Sequence, residues 1–162
     1  MKFNKKGQVM GLPFQMIFTL ILVAIFIVVG VFAIKYVVDW QKQSQAALFV
    51  NDFRNKVNEL WQKDIVDYTF SESLASQVKY VCFANVSLPN TTTEFSNVWH
   101  DLTKYQGYTM FLWPTNAVNI PNYKIEHIDF SKLPRPYCIA NTGKISIRLQ
   151  KNSNEALLRI VP

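Results

Sequence analysis

Between positions 14 and 34 the chain reads FQMIFTLILVAIFIVVGVFAI, a run without a charged residue in which only Gln15 and Thr19 are notably polar. About 21 residues at a helical rise of 1.5 Å span roughly 31 Å, the thickness of a bilayer's hydrocarbon core. A helix apolar on every face has no side to show water, so the pattern predicts a transmembrane helix over 14–34 rather than a buried core helix. The pattern then changes period without a break. No Gly or Pro occurs from Lys35 to Tyr68, and Ala46, Val50, Phe53, Val57 and Leu60 recur at intervals of four and three, which places them on one helical face. Trp61, Ile65 and Tyr68 widen that stripe. Asp52 before Lys56 and Glu59 before Lys63 stand at i,i+4 in the favourable order, each pair contributing about 0.3 kcal/mol. An amphipathic helix continuing from the membrane is therefore expected over 35–70.

Over 71–162 the texture becomes extended. In QVKYVCFANV, Val78, Tyr80, Cys82 and Ala84 share one face of a strand, while Val81 and Phe83 make the other face apolar too. SNVWHDLTKY predicts a short helix with Ser96 as N-cap and Trp99, Leu102 and Tyr105 facing inward, ended by Gly107. TMFLW follows as a buried strand stopped by Pro114, and YKIEHIDF lies beyond an Asn- and Pro-containing loop. The clearest alternation is KISIRLQ, with Ile145, Ile147 and Leu149 against Ser146, Arg148 and Gln150. KNSNE turns the chain and ALLRIV returns it as the second strand of an antiparallel hairpin. A helix with one apolar stripe and a sheet with one apolar face are complementary, so the expected fold class is α+β, the long helix packed on a small antiparallel sheet. The stripe's partner is this C-terminal half or, alternatively, a second copy in a short coiled coil.

Charge then sets the orientation. Of the 17 basic residues, Lys2, Lys5 and Lys6 precede the apolar run, whereas all 11 acidic residues follow it. Basic flanks stay cytoplasmic, which makes residues 1–13 a cytoplasmic basic leader or flank and 71–162 an extracytoplasmic β-rich domain on a single-pass anchor in the cell membrane. Tyr36 and Trp40 sit where interfacial aromatics belong. The overall charge of +6 falls to +3 once the three leading lysines are set aside, too little and too scattered for nucleic-acid binding. A cleaved secretory signal is the competing interpretation, with Val31 and Ala33 suited to a signal peptidase. The apolar run is, however, far longer than the roughly 7–15 residues of a signal's core.

This layout, together with KKGQV near the N-terminus, resembles the archaeal type IV pilin-like membrane proteins, in which a Lys-Gly-Gln motif precedes the apolar helix and a dedicated peptidase cuts before the Gln. The resemblance implies cleavage between Gly7 and Gln8. Pilins carry Glu at the fifth mature position, where it pairs with the N-terminal amine of a neighbouring subunit; counted from Gln8, that position here is Leu12, and no carboxylate precedes Asp39. As a membrane flank the motif needs only its lysines. The expectation is accordingly a retained N-terminal segment, a pilin-like envelope protein with a structural or interaction role, and no long filament. Membrane lipid and either a second copy or another envelope protein are the expected partners.

Candidate chemistry is sparse. In an exported domain Cys82 and Cys138 are expected to form a disulfide, closing roughly 57 residues and contributing about 4 kcal/mol in the loop-entropy treatment; two buried free thiols are the alternative. Asn85 in NVS and Asn90 in NTT match the glycosylation sequon. The two histidines are His100, beside Asp101, and His127, two residues before Asp129. A cleft joining His127, Asp129 and Cys82 would suit a membrane-anchored hydrolase, and an exposed aromatic patch at Trp99 or Trp113 would suit a tethered binding domain. No HExxH, GxSxG, phosphate-binding Gly loop or close Cys/His spacing occurs, so neither an enzyme nor a metal or cofactor site is expected.

Overall fold

The computed structural model describes residues 11–161 and is α+β, with a long N-terminal helix and small, mainly antiparallel sheets. Helix α1 runs Gly11–Trp61 and contributes to two compact units, the first ending at Trp40 and the second beginning at Gln41. In the first unit every described side chain from Gln15 to Trp40 is exposed, Met16 and Phe26 to 68% and 67%, with Gly30 intermediate. Among the described residues this is the one helix long and apolar enough to cross a membrane. Its polar side chain at Thr19 is satisfied locally, the hydroxyl donating to the Gln15 carbonyl at 2.8 Å. That bond suits a medium without water, where a free hydroxyl finds no partner.

In the second unit the helix turns amphipathic, as the interval pattern predicts. Ala46, Phe49, Val50, Phe53, Val57 and Leu60 are all at most 4% exposed. They pack in one cluster with residues of both sheets. The first sheet has the order β1 (Val66–Ser73), β7 (Lys144–Lys151), β8 (Leu158–Val161), β5 (Ile128–Asp129), and the second β4 (Asn122–Tyr123), β3 (Met110–Trp113), β2 (Tyr80–Phe83), β6 (Tyr137–Ala140). The expected hairpin is β7 and β8, antiparallel with Leu149 opposite Ile160. Its alternation of buried Ile145, Ile147 and Leu149 with more exposed Ser146, Arg148 and Gln150 matches the sequence pattern. β5 joins β8 in parallel, the sole parallel pairing among the described strands.

Two expectations need correction. The amphipathic helix does not extend over 35–70; it ends at Trp61, and Val66–Ser73 is strand β1, paired with β7 along all eight residues. Ile65 and Tyr68, assigned to the helical stripe, are 72% and 39% exposed. VDYTF also fits a period of two through Val66, Tyr68 and Phe70, and a full ladder with β7 outweighs a helical continuation whose stripe has nothing left to bury against. Secondly, the chain builds two four-stranded sheets where one was expected. The doubly apolar strand in QVKYVCFANV marks the reason. Val81 and Phe83 face the cluster that contains α1, while Cys82, together with Phe111 on β3, faces a second cluster roofed by Val98 and Leu102 of helix α2 (Ser96–Leu102). α2 starts where the sequence places it, but Phe95, not Ser96, is the cap residue and no side chain caps it.

Two polar contacts fix the joints. The Asn141 amide nitrogen lies 2.8–3.3 Å from the carbonyls of Leu74, Ala75 and Val78, and its Oδ1 accepts the Gly143 N–H. This ties the segment after β1 to the turn between β6 and β7, where Gly143 takes a φ of +101° that side chains rarely adopt. At the end of α1, Lys151 is 9% exposed and its Nζ donates to the carbonyls of Trp61 at 2.7 Å and Lys63 at 2.9 Å. An ammonium here meets both unsatisfied acceptors and the negative end of the helix dipole. Lys151→Met keeps the aliphatic stem and removes the donors; it should lower unfolding stability by about 1–3 kcal/mol, measured by chemical denaturation of the full chain in detergent.

Candidate functional site

The disulfide is the covalent cross-link of the second unit. β2 and β6 are antiparallel neighbours with Cys82 opposite Cys138, and the two sulfurs are bonded. Cys82 is fully buried in the α2 cluster. Its sulfur is therefore not available as a nucleophile, which removes the thiol from any triad with His127 and Asp129.

Nor do those two residues converge on one another. The His127 ring stacks on Trp61 with centroids 3.8 Å apart and planes at 14°. Its backbone takes a φ of 66°, and its carbonyl accepts the Leu158 N–H at 2.9 Å. Trp61 in turn donates its indole N–H to the Ala156 carbonyl at 2.9 Å. His127 is thus part of the seal over the end of α1. Asp129 Oδ1 accepts the Ser131 N–H at 2.8 Å, a turn contact. His100 is exposed on α2, and its neighbour Asp101 binds Lys104 at 3.0 Å and the Trp113 indole at 3.4 Å. Trp99 and Trp113 are both half-buried against the α2 cluster, so neither heads an exposed aromatic patch. Among the described residues, no group of three or more His, Cys, Asp or Glu is placed to hold a metal ion.

Both sequons lie in the segment between β2 and α2, and they differ. Asn85 Oδ1 accepts the Ser87 N–H at 3.1 Å and Ser87 is exposed. Asn90 Oδ1 accepts the Thr92 N–H at 2.9 Å, but the Thr92 hydroxyl is buried without a hydrogen-bond partner among the described residues. Gly7 and Gln8, between which the resemblance places a cleavage, lie outside the described residues.

Charges on the second unit pair at its surface. Glu59 lies between Lys56 at 2.5 Å and Lys63 at 3.2 Å, so the i,i+4 pair with Lys63 forms while Lys56 turns to Glu59 and not to Asp52. Arg148 on β7 holds Asp67 on β1 with two hydrogen bonds, at 3.0 and 2.8 Å. The carboxyl groups of Glu59, Asp67, Asp101 and Glu126 are held below their ordinary values, first by the hydrogen bonds of Lys56, Arg148, Lys104 and Lys124 respectively. Asp129 is lowered first by the Ser131 backbone N–H. A carboxyl lowered in the folded state contributes stability that is present above its unfolded value, near 4, and is lost as pH falls through the folded value. Melting temperature should accordingly be flat from about pH 8 to 5 and decline below about pH 4. The decline should be shallow because the pairs are solvated, and melts across a pH series check it.

No family model, curated protein or solved structure matches the chain.

Proposed function

We propose that the chain is a single-pass membrane-anchored envelope protein of pilin-like build, its N-terminus cytoplasmic and its C-terminal domain extracytoplasmic, with a structural or interaction role and no catalysis. The observation that carries this reading is the division of labour along α1. The stretch to Trp40 exposes apolar side chains all round, whereas the stretch from Ala46 to Leu60 buries one face in the α+β domain. A helix of that kind is at once an anchor and a structural core element. The Cys82–Cys138 bond supports an oxidising, extracytoplasmic location. The three leading lysines support a cytoplasmic N-terminus. Asn85, with its exposed Ser87, is a better glycan acceptor after folding than Asn90, whose Thr92 hydroxyl is buried. Partners on this reading are membrane lipid and a second copy or a neighbouring envelope protein, and not nucleic acid.

Intact mass of the protein purified from its native membranes tests the pilin-like part. A chain retaining Lys5 to Gln8, with filaments absent by electron microscopy, is the expected result. A mature chain beginning at Gln8 would overturn retention and favour a filament subunit, and one beginning at Ile34 would make the apolar run a secretory signal. A tethered binding domain is the second reading, favoured by the cavity beside Tyr137 described next.

A further inference from the structure

A cavity of about 270 Å³ opens between the segment leading into α2 and the start of β6, lined by Thr92, Glu94, Phe95, Pro134, Pro136 and Tyr137. Its walls are fastened from several directions. The Thr91 N–H donates to the Arg135 carbonyl at 3.0 Å, the Arg135 N–H donates to Thr91 Oγ1 at 2.8 Å, and Arg135 Nε donates to the Pro89 carbonyl at 3.0 Å. Cys138, also in the wall, is bonded to Cys82 on β2. The Phe95 ring packs edge-on to Tyr80 with centroids 5.6 Å apart. Fastening of this kind means that little conformational freedom remains to be lost when a ligand enters.

The lining sets a carboxylate beside two aromatic rings. The Glu94 carboxylate can only accept hydrogen bonds, and no salt bridge to it occurs among the described residues. The Thr92 hydroxyl oxygen in the wall is itself buried, whereas Glu94 is exposed, so the carboxylate is the acceptor that a ligand reaches. Phe95 and Tyr137 add rings whose faces attract cations, and the prolines add apolar wall without an N–H donor. A positively charged N–H donor on an aliphatic stem matches the carboxylate and the rings together. The volume is just below the roughly 300–1,000 Å³ of sites for drug-sized ligands, which suits a single side chain.

We infer that this cavity binds a lysine or arginine side chain presented by a partner protein, with Glu94 as acceptor for its N–H groups and Phe95 and Tyr137 against its stem and charge. The site is independent of the anchoring reading and of filament assembly, and stands or falls on its own test.

Full-length protein in detergent micelles, labelled for NMR, is titrated with the blocked amides of lysine and arginine, with the blocked amide of norleucine, which has the same stem without the charge, and with a methyl glycoside. The basic amides should give saturable shifts at Thr92, Glu94, Phe95 and Tyr137 with a Kd on the order of 1–10 mM, the range expected of one side chain in isolation. Glu94→Gln, a surface change that leaves the fold's spectrum intact, should weaken them about tenfold, and Tyr137→Leu by about threefold or more. Added salt should weaken binding of the basic amides as well. Equal binding of norleucine amide, indifference to Glu94→Gln, preference for the glycoside, or no saturable shift with any probe would each overturn the assignment.

Discussion

Phe53→Ala should destabilise the second unit by about 3–5 kcal/mol, enough to unfold a domain of ordinary stability under mild conditions. Phe53 is fully buried on α1. Its ring meets Phe70 of β1 edge-on at 5.2 Å and Phe83 of β2 at 5.7 Å, so one side chain joins the helix to both sheets. Truncation removes the transfer energy of the ring and leaves a cavity that three elements of fixed spacing close only in part. Asn58→Ala, at an exposed position on the same helix, should change stability by no more than about 0.5 kcal/mol. Denaturant unfolding of the full chain in detergent, followed by near-ultraviolet circular dichroism, measures both. Equal effects for the two variants would mean that the buried face of α1 is not the core of this domain.

The second large effect belongs to the disulfide. Cys82 and Cys138 are separated by 56 residues, and closing a loop of that length removes enough freedom from the unfolded chain to contribute about 4 kcal/mol, before any native-state cost. The cross-link also joins the middle of the second sheet to its edge, where β6 would otherwise rest on the β2 ladder alone on that side. Cys82→Ala with Cys138→Ala should lower the melting temperature by on the order of 10 °C. Reduction of the wild type should reproduce most of that shift. Non-reducing peptide mapping of protein from its native source should find the two cysteine peptides joined, and free thiols at both positions would contradict the bond.

The parts of the fold legible in the sequence are those whose period is unambiguous. The apolar run over 14–34 and the stripe from Ala46 to Leu60 mark two parts of α1, exposed all round in the first and buried on one face in the second, and the alternation of Ile145, Ile147 and Leu149 marks β7 and its buried face. The end of α1 was not legible, because Ile65 and Tyr68 fit a helical interval as well as a strand and no Gly or Pro intervenes. What stops the helix is distant in sequence: the eight-residue ladder to β7 and the Lys151 ammonium on the carbonyls of Trp61 and Lys63. A local signal for that cap does exist. Lys151 continues the inward-facing register of Ile145, Ile147 and Leu149, and a lysine at an inward position requires buried acceptors. The second sheet was foreshadowed by Val81 and Phe83 opposite Tyr80 and Cys82, since a strand apolar on both faces must be covered on both. The cavity at Tyr137 had no sequence signature. Its two walls, around Thr92 and around Pro136, are some forty residues apart, and only the cross-strand register and the Arg135 contacts bring them together.

The central claim is that one helix is both membrane anchor and domain core, with the domain outside. Protease digestion of spheroplasts carrying the full chain tagged at each end tests it most directly. External protease should remove the C-terminal tag while the N-terminal tag survives on a small fragment that stays in the membrane through alkaline carbonate washing. Survival of the C-terminal tag with loss of the N-terminal one, or release of the intact chain by carbonate, would contradict it.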